Sequence, residues 1–178
     1  MKPNGFTLIE LLIAVALIII VTGVTGDIVI SLVRGYNKTQ VTNEIEQNAN
    51  FIMVKIEKEL RNATAVTNPA TAGSQVKKIV FSVEVEGLPV QVTYELKTDA
   101  TGVGAVFRQE GDDADLQLSN NDAVSGVDIS VANSYFILVS KNPDVVQIHL
   151  EFSQVGSPVQ SFVGNLKLDT TVVVRGTY

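Results

Sequence analysis

The chain has 178 residues, of which 46% are apolar and 18% charged, with a formal net charge of −6, one histidine and no cysteine. That length holds one domain plus whatever a terminal segment does by itself. Its 13 basic residues are not gathered on one face, which disfavours unaided nucleic-acid binding, and the lack of Cys excludes disulfides, thiolate nucleophiles and Cys/His zinc sites while leaving the compartment open.

The first element is apolar. From Phe6 to Gly26 the chain reads FTLIELLIAVALIIIVTGVTG, in which Glu10 is the one charge; Asp27 is the next. This is about the length of one bilayer-spanning helix. A carboxylate inside it costs roughly 2.5–3.5 kcal/mol on insertion scales, so Glu10 needs a reason. An ordinary secretory signal, cut near Thr22–Gly26, would leave Glu10 interrupting its apolar core and would offer a cleavage site only loosely of the A-x-A kind. A plain signal-anchor leaves the charge unexplained.

Lys2-Pro3-Asn4-Gly5, followed by Phe6-Thr7-Leu8-Ile9-Glu10-Leu11-Leu12, closely resembles the signature of type IV pilins and type II secretion pseudopilins. The resemblance implies that a prepilin peptidase removes residues 1–5 as a leader, cutting between Gly5 and Phe6 and methylating the new N-terminus at Phe6. It makes Glu10 an assembly residue. Cleavage leaves a positive amine about one helical turn before Glu10. In a staggered bundle the carboxylate of one subunit can then meet the amine of its neighbour, so that two charges unfavourable in hydrocarbon neutralise each other and fix register.

Beyond Asp27 no Pro occurs before Ala65, and Gly35 is the only Gly. Val41, Ile45, Ala49, Ile52, Ile56 and Leu60 recur at helical spacing, opposite a polar face that includes Glu44, Glu46, Lys55, Glu57, Lys58 and Arg61. One helix is therefore expected from residue 6 to about 62: a transmembrane part over 6–26 and an amphipathic continuation within 27–65. Gly23 and Gly26, with Thr22 and Thr25, weaken it near the junction. The stripe is too short for a sustained coiled-coil seam, so packing on the strands that follow is the expected use. Sequons at Asn37 and Asn62 fall in this helix and are discounted. Glu46–Phe51, Glu59–Ala63 and the late run Thr170–Arg175 are similar to J-type minor pseudopilins and W-type minor pilins.

After a loop around Pro69 and Gly73 the pattern changes to alternation, which marks strands. Ile79–Val85 and Val90–Leu96 form a hairpin, with its turn expected at Gly87-Leu88-Pro89. Further strands are expected at Gly104–Glu110, Leu116–Leu118, Val127–Val131, Tyr135–Ser140, Val145–Phe152 and Phe162–Arg175, with Asn142-Pro143-Asp144 as a turn. One-sided alternation calls for an antiparallel sheet with one face covered, and the amphipathic helix is the natural cover. The fold class is thus α+β, a long N-terminal helix on an antiparallel sheet, with 66–178 as the globular head. The resemblance implies the same pilin-like fold.

Two chemical possibilities remain in the head. Asp112, Asp113 and Asp115, followed by Asn120-Asn121-Asp122, suggest calcium by ligand type, but EF-hand spacing is absent and an acidic turn explains them. His149 alternates with Gln147 and Glu151 on the polar face of a strand, where a solvated histidine is expected. No nucleophile–base or metal constellation appears, so no catalytic residue, metal or cofactor is assigned. The expected role is structural: a subunit, minor rather than major, of a pilus or pseudopilus. Its partners would be other subunits, the prepilin peptidase, the membrane and an inner-membrane assembly platform, with its N-terminus cytoplasmic and its head outside. A major subunit, or a tip adhesin or DNA-uptake module on the same helix, is the alternative.

Overall fold

The computed structural model describes residues 5–122, 126–156 and 164–177. One helix, α1 (Leu8–Arg61), dominates it. At 1.5 Å per residue its 54 residues span about 80 Å. It starts two residues later than expected because Thr7, in extended backbone, is its N-cap. It runs unbroken through Gly23 and Gly26, where the hydroxyls of Thr22 and Thr25 donate back to the carbonyls of Ile18 and Val21, each at 2.7 Å. Every residue from Gly5 to Gln40 is exposed. Beyond that point one face is covered, and Ile45, Ala49, Ile52, Met53, Ile56 and Leu60 are buried; this is the stripe expected from the sequence with Met53 added and Val41 only half-buried.

The helix ends at Arg61, close to the expected residue 62, and the rest of the 27–65 stretch does not continue it, because Ala63–Asn68 is a strand, β1. That strand is irregular. Its pairing shifts register twice and its two most buried residues, Ala63 and Val66, are three apart, so it carries no period-two signal. The remaining strands are β2 (Gln75–Val76), β3 (Lys78–Val85), β4 (Leu88–Thr98), β5 (Gly104–Glu110), β6 (Leu116–Gln117), β7 (Val127–Ile129), β8 (Tyr135–Lys141), β9 (Asp144–Gln154) and β10 (Asn165–Val173). Of the expected last strand, Phe162 and Val163 lie outside the described residues, and Arg175 opens a short 3-10 turn instead.

The head contains two antiparallel sheets where one was expected. The first has the order β1-β3-β4-β5-β6 and the second β10-β9-β8-β2, with β7 also pairing with β9. Alternation reports only which face of a strand is covered, so it cannot say that the strands divide into two layers. One hydrophobic cluster joins α1 to both sheets, from Ile52 and Ile56 through Phe81 and Tyr94 to Ile148 and Phe152.

The turn of the β3–β4 hairpin lies one residue earlier than expected. Val85 pairs with Leu88, leaving Glu86 and Gly87 as a two-residue loop with φ of 52° and 80°. Positive φ at both central residues is the type I′ requirement, and its twist matches that of the flanking strands. Leu88 and Pro89 are therefore in β4. Pro89 is tolerated because β5 pairs with β4 only from Val92 onward, so its missing N–H faces no partner strand.

Three polar or steric devices join the layers. The Asp144 carboxylate, 3% exposed, accepts a hydrogen bond from the backbone N–H of Val66 at 2.9 Å, while its carbonyl accepts one from Val174 at 2.9 Å. It ties the β8–β9 turn to β1 of the other sheet and to the chain end. Gly104 packs so closely on β7 that a Cβ there would stand 2.0 Å from the Ile129 carbonyl oxygen, and its N–H donates to Asp128 at 2.9 Å. Glu59 of α1 accepts from the Tyr94 hydroxyl at 2.7 Å and from Arg108 Nε at 3.0 Å, with Lys55 at 3.3 Å.

Burial alone would raise the Glu59 carboxyl, but the hydrogen bonds from Arg108 and Tyr94 outweigh it and hold it below the usual 4.5. A depressed folded-state value means that its stabilisation is complete above about pH 5 and is lost as pH falls through the folded value. Glu59→Gln should therefore give a head whose urea stability, measured on the detergent-solubilised chain, falls less steeply on acidification than that of the unsubstituted protein. Asp144→Ala strands the buried Val66 N–H and should destabilise the head by about 1–3 kcal/mol in the same measurement.

Candidate functional site

The segment with the least support from the rest of the molecule is its N-terminus. Gly5 and Phe6 precede the helix, and Phe6 is 83% exposed. The Gly5–Phe6 bond is thus accessible and lies outside regular structure, while Lys2, Pro3 and Asn4 lie outside the described residues.

Thr7 and Glu10 form a capping box. The Thr7 backbone N–H donates to Glu10 Oε2 at 2.9 Å and the Thr7 hydroxyl donates to the same oxygen at 2.8 Å, while the Glu10 N–H points back at the hydroxyl at 3.4 Å. Free N–H groups at a helix start need acceptors, and a carboxylate there also complements the helix dipole. The Thr7-Leu8-Ile9-Glu10 spacing is the sequence signature of such a box, so Thr7 was legible as a partner of Glu10 although the sequence reading gave Glu10 alone a role. The two donors satisfy one carboxylate oxygen, Oε2, and Glu10 remains exposed.

From Leu8 the helix is apolar on all sides and none of its most apolar stretch is buried, with a mean hydropathy of 2.7 over 18 residues. It is the one helix among the described residues long and apolar enough to cross a membrane. Its exposed face, including Leu11, Leu12, Ile18, Ile19 and Ile20, is suited to hydrocarbon or to other helices.

The head's other candidates do not assemble into a site. Asp115 pairs with Lys97, which also lies 3.3 Å from Glu95 and over the ring of Phe107. Among the described residues no three His, Cys, Asp or Glu side chains are placed to hold a metal ion. His149 is less open than expected, at 15% side-chain exposure. It stacks on Tyr135 with ring centroids 4.9 Å apart, and its Nδ1 is 2.6 Å from Asp169 while its Nε2 is 3.5 Å from Glu151. Hydrogen bonds from Lys167 and Asn133 hold the Glu151 carboxyl down to about 2. Both ring nitrogens therefore face carboxylates on the outer face of a sheet, which is not the arrangement of a base set against a hydroxyl.

Residues 1–26 match the family model of the prokaryotic N-terminal methylation motif. Comparison with curated proteins and with solved structures finds no match. The matched stretch takes in the accessible Gly5–Phe6 bond, the Thr7–Glu10 box and the apolar start of α1, and it supports a prepilin-type subunit anchored in a membrane by that helix.

Proposed function

We propose that the chain is a structural subunit of a type IV pilus or type II secretion pseudopilus. Prepilin peptidase cuts it between Gly5 and Phe6 and methylates Phe6, and it then assembles through α1. The observation that carries this reading is the methylation motif over residues 1–26 at the head of an unbroken helix whose first half has no cover within its own chain. A helix apolar all round is out of place in water, so lipid must hold it first and other helices afterwards.

Glu10 has a part in both states. In the single chain the two Thr7 donors satisfy one oxygen of the carboxylate, which lowers the cost of holding it at the membrane. The other oxygen is left for the amine that cleavage creates at Phe6 of a neighbouring subunit. The head stands outside the cytoplasmic membrane and the N-terminus inside, where an assembly platform would receive it. Within the class, the similarity of Glu46–Phe51, Glu59–Ala63 and Thr170–Arg175 to J-type minor pseudopilins and W-type minor pilins favours a minor subunit at the tip or in the priming complex. A major subunit would instead dominate sheared filaments.

Mass spectrometry of the mature protein should find an N-methylated Phe6 as the first residue; an intact Met1, or cleavage near Gly26, would refute the processing. Glu10→Leu should insert into membranes as well as or better than the unsubstituted chain. It leaves the neighbour's amine without a counter-charge, a loss of about 3–5 kcal/mol in a buried pair, so its incorporation into filaments should fall at least about tenfold. Normal incorporation would remove Glu10 from assembly.

A further inference from the structure

Two exposed surfaces of the head complement each other. The first is the outer face of the second half of α1. Phe51 and Val54 are 57% and 62% exposed, and Lys58 follows one turn on. Spacings of three and four place these side chains in one outward row. Lys55 and Arg61, beside them, are paired with Glu59 and Glu57, whereas Lys58 has no ion pair among the described residues.

The second is the tip of the β3–β4 hairpin. Along the inner face of β3, Phe81 is buried, Val83 is half-buried and Val85 is 44% exposed; its cross-strand partner Leu88 is 68% exposed. The apolar face of the hairpin thus continues past the edge of the core and is left uncovered. Glu86, in the turn beside it, is exposed and without an ion pair among the described residues, while Glu84 lies on the opposite face of β3. One surface is apolar with a free cation, the other apolar with a free anion.

We propose that the hairpin tip of one copy docks on the α1 face of a second copy, with Val85 and Leu88 against Phe51 and Val54 and with Glu86 toward Lys58. The two patches are different, so the contact is heterologous and leaves a free tip and a free face at the ends, which lets it propagate. Four apolar side chains make a contact well below the size of an independently stable interface. It therefore acts only between chains already concentrated in one membrane or one filament, where the shared anchor raises the effective concentration. The proposal deepens the filament reading and rests on it for that concentration alone.

The absence of native cysteine makes the test direct. Two differently tagged full-length copies are produced together in membranes, one carrying Leu88→Cys and the other Val54→Cys, and oxidised. A mixed disulfide dimer should form at about five times or more the yield obtained when Leu88→Cys is paired with Ser74→Cys, an exposed position away from the patch. Glu86→Lys alone and Lys58→Glu alone should each lower the yield, and the two together, one on each copy, should restore it. A yield equal to the Ser74 control overturns the proposal, as does a charge swap that fails to restore it or capture of a different protein at Leu88→Cys in place of the second copy. Because Phe6 methylation and Glu10-dependent incorporation are read separately, failure of the docking contact is distinguishable from failure of the filament reading.

Discussion

A single unbroken helix has to satisfy two solvents, and the rest of the molecule is arranged around that constraint. Over Leu8–Gln40 every side chain of α1 is exposed, whereas from Ile45 to Leu60 one face lies in the core of the head. A helix that is apolar all round is covered on one side only when it lies on a domain, so its remaining surface still needs lipid or other helices. The first half is therefore free of the head, and only the second half is recruited into it. The change, between Gln40 and Ile45, occurs without a break in the helix, which also runs unbroken through Gly23 and Gly26. The same rod can thus serve as anchor and as scaffold.

The head has to be built onto that rod from strands whose core-facing residues are aliphatic and aromatic, and hydrophobic contact alone does not choose among the ways of stacking two sheets. Specific polar and steric contacts choose. Asp144 supplies a buried acceptor to Val66, at a place where the irregular pairing of β1 interrupts its ladder. Gly104 lets β5 approach β7 at a distance no other residue would permit. Glu59 fixes the last turns of α1 against Tyr94 and Arg108. Each joins segments far apart in sequence, as the 78 residues between Val66 and Asp144 illustrate. Between them they set how the sheets sit on each other and on the helix.

At the N-terminus, the capping box gives Glu10 a partner within its own chain. One oxygen is engaged by Thr7, and the side chain remains exposed. A charge that was wholly unsatisfied would strongly oppose residence in a bilayer, and the Thr7 donors reduce that cost. On the outer surface of the head some charges are paired locally, as in the Lys167–Glu151–His149–Asp169 group, whereas Glu86 and Lys58 have no ion pair among the described residues and lie beside exposed apolar side chains.

The sequence by itself determined the features that depend on neighbours along the chain. The apolar run with its single carboxylate, the buried stripe from Ile45 to Leu60, strand β5 at Gly104–Glu110 and the inward alternation of Ile79, Phe81, Val92 and Tyr94 are all local periodicities, because each side chain's environment follows from its helical or extended spacing. The Thr7–Glu10 box belongs with them, being a contact across three residues. What only the tertiary structure decided lies elsewhere. Strand β1 has a bulged pattern with no period, so pairing with β3 makes it a strand. The hairpin turn moved to Glu86-Gly87 because the register of β3 against β4 requires φ > 0 at both loop residues. The division into two sheets, the place of Asp144, the partners of Glu59 and the uncovered tip at Val85 and Leu88 rest on contacts between distant segments. A sequence read along the chain carries the periods of its elements, but which faces meet is settled by shape and by the satisfaction of buried polar groups in three dimensions.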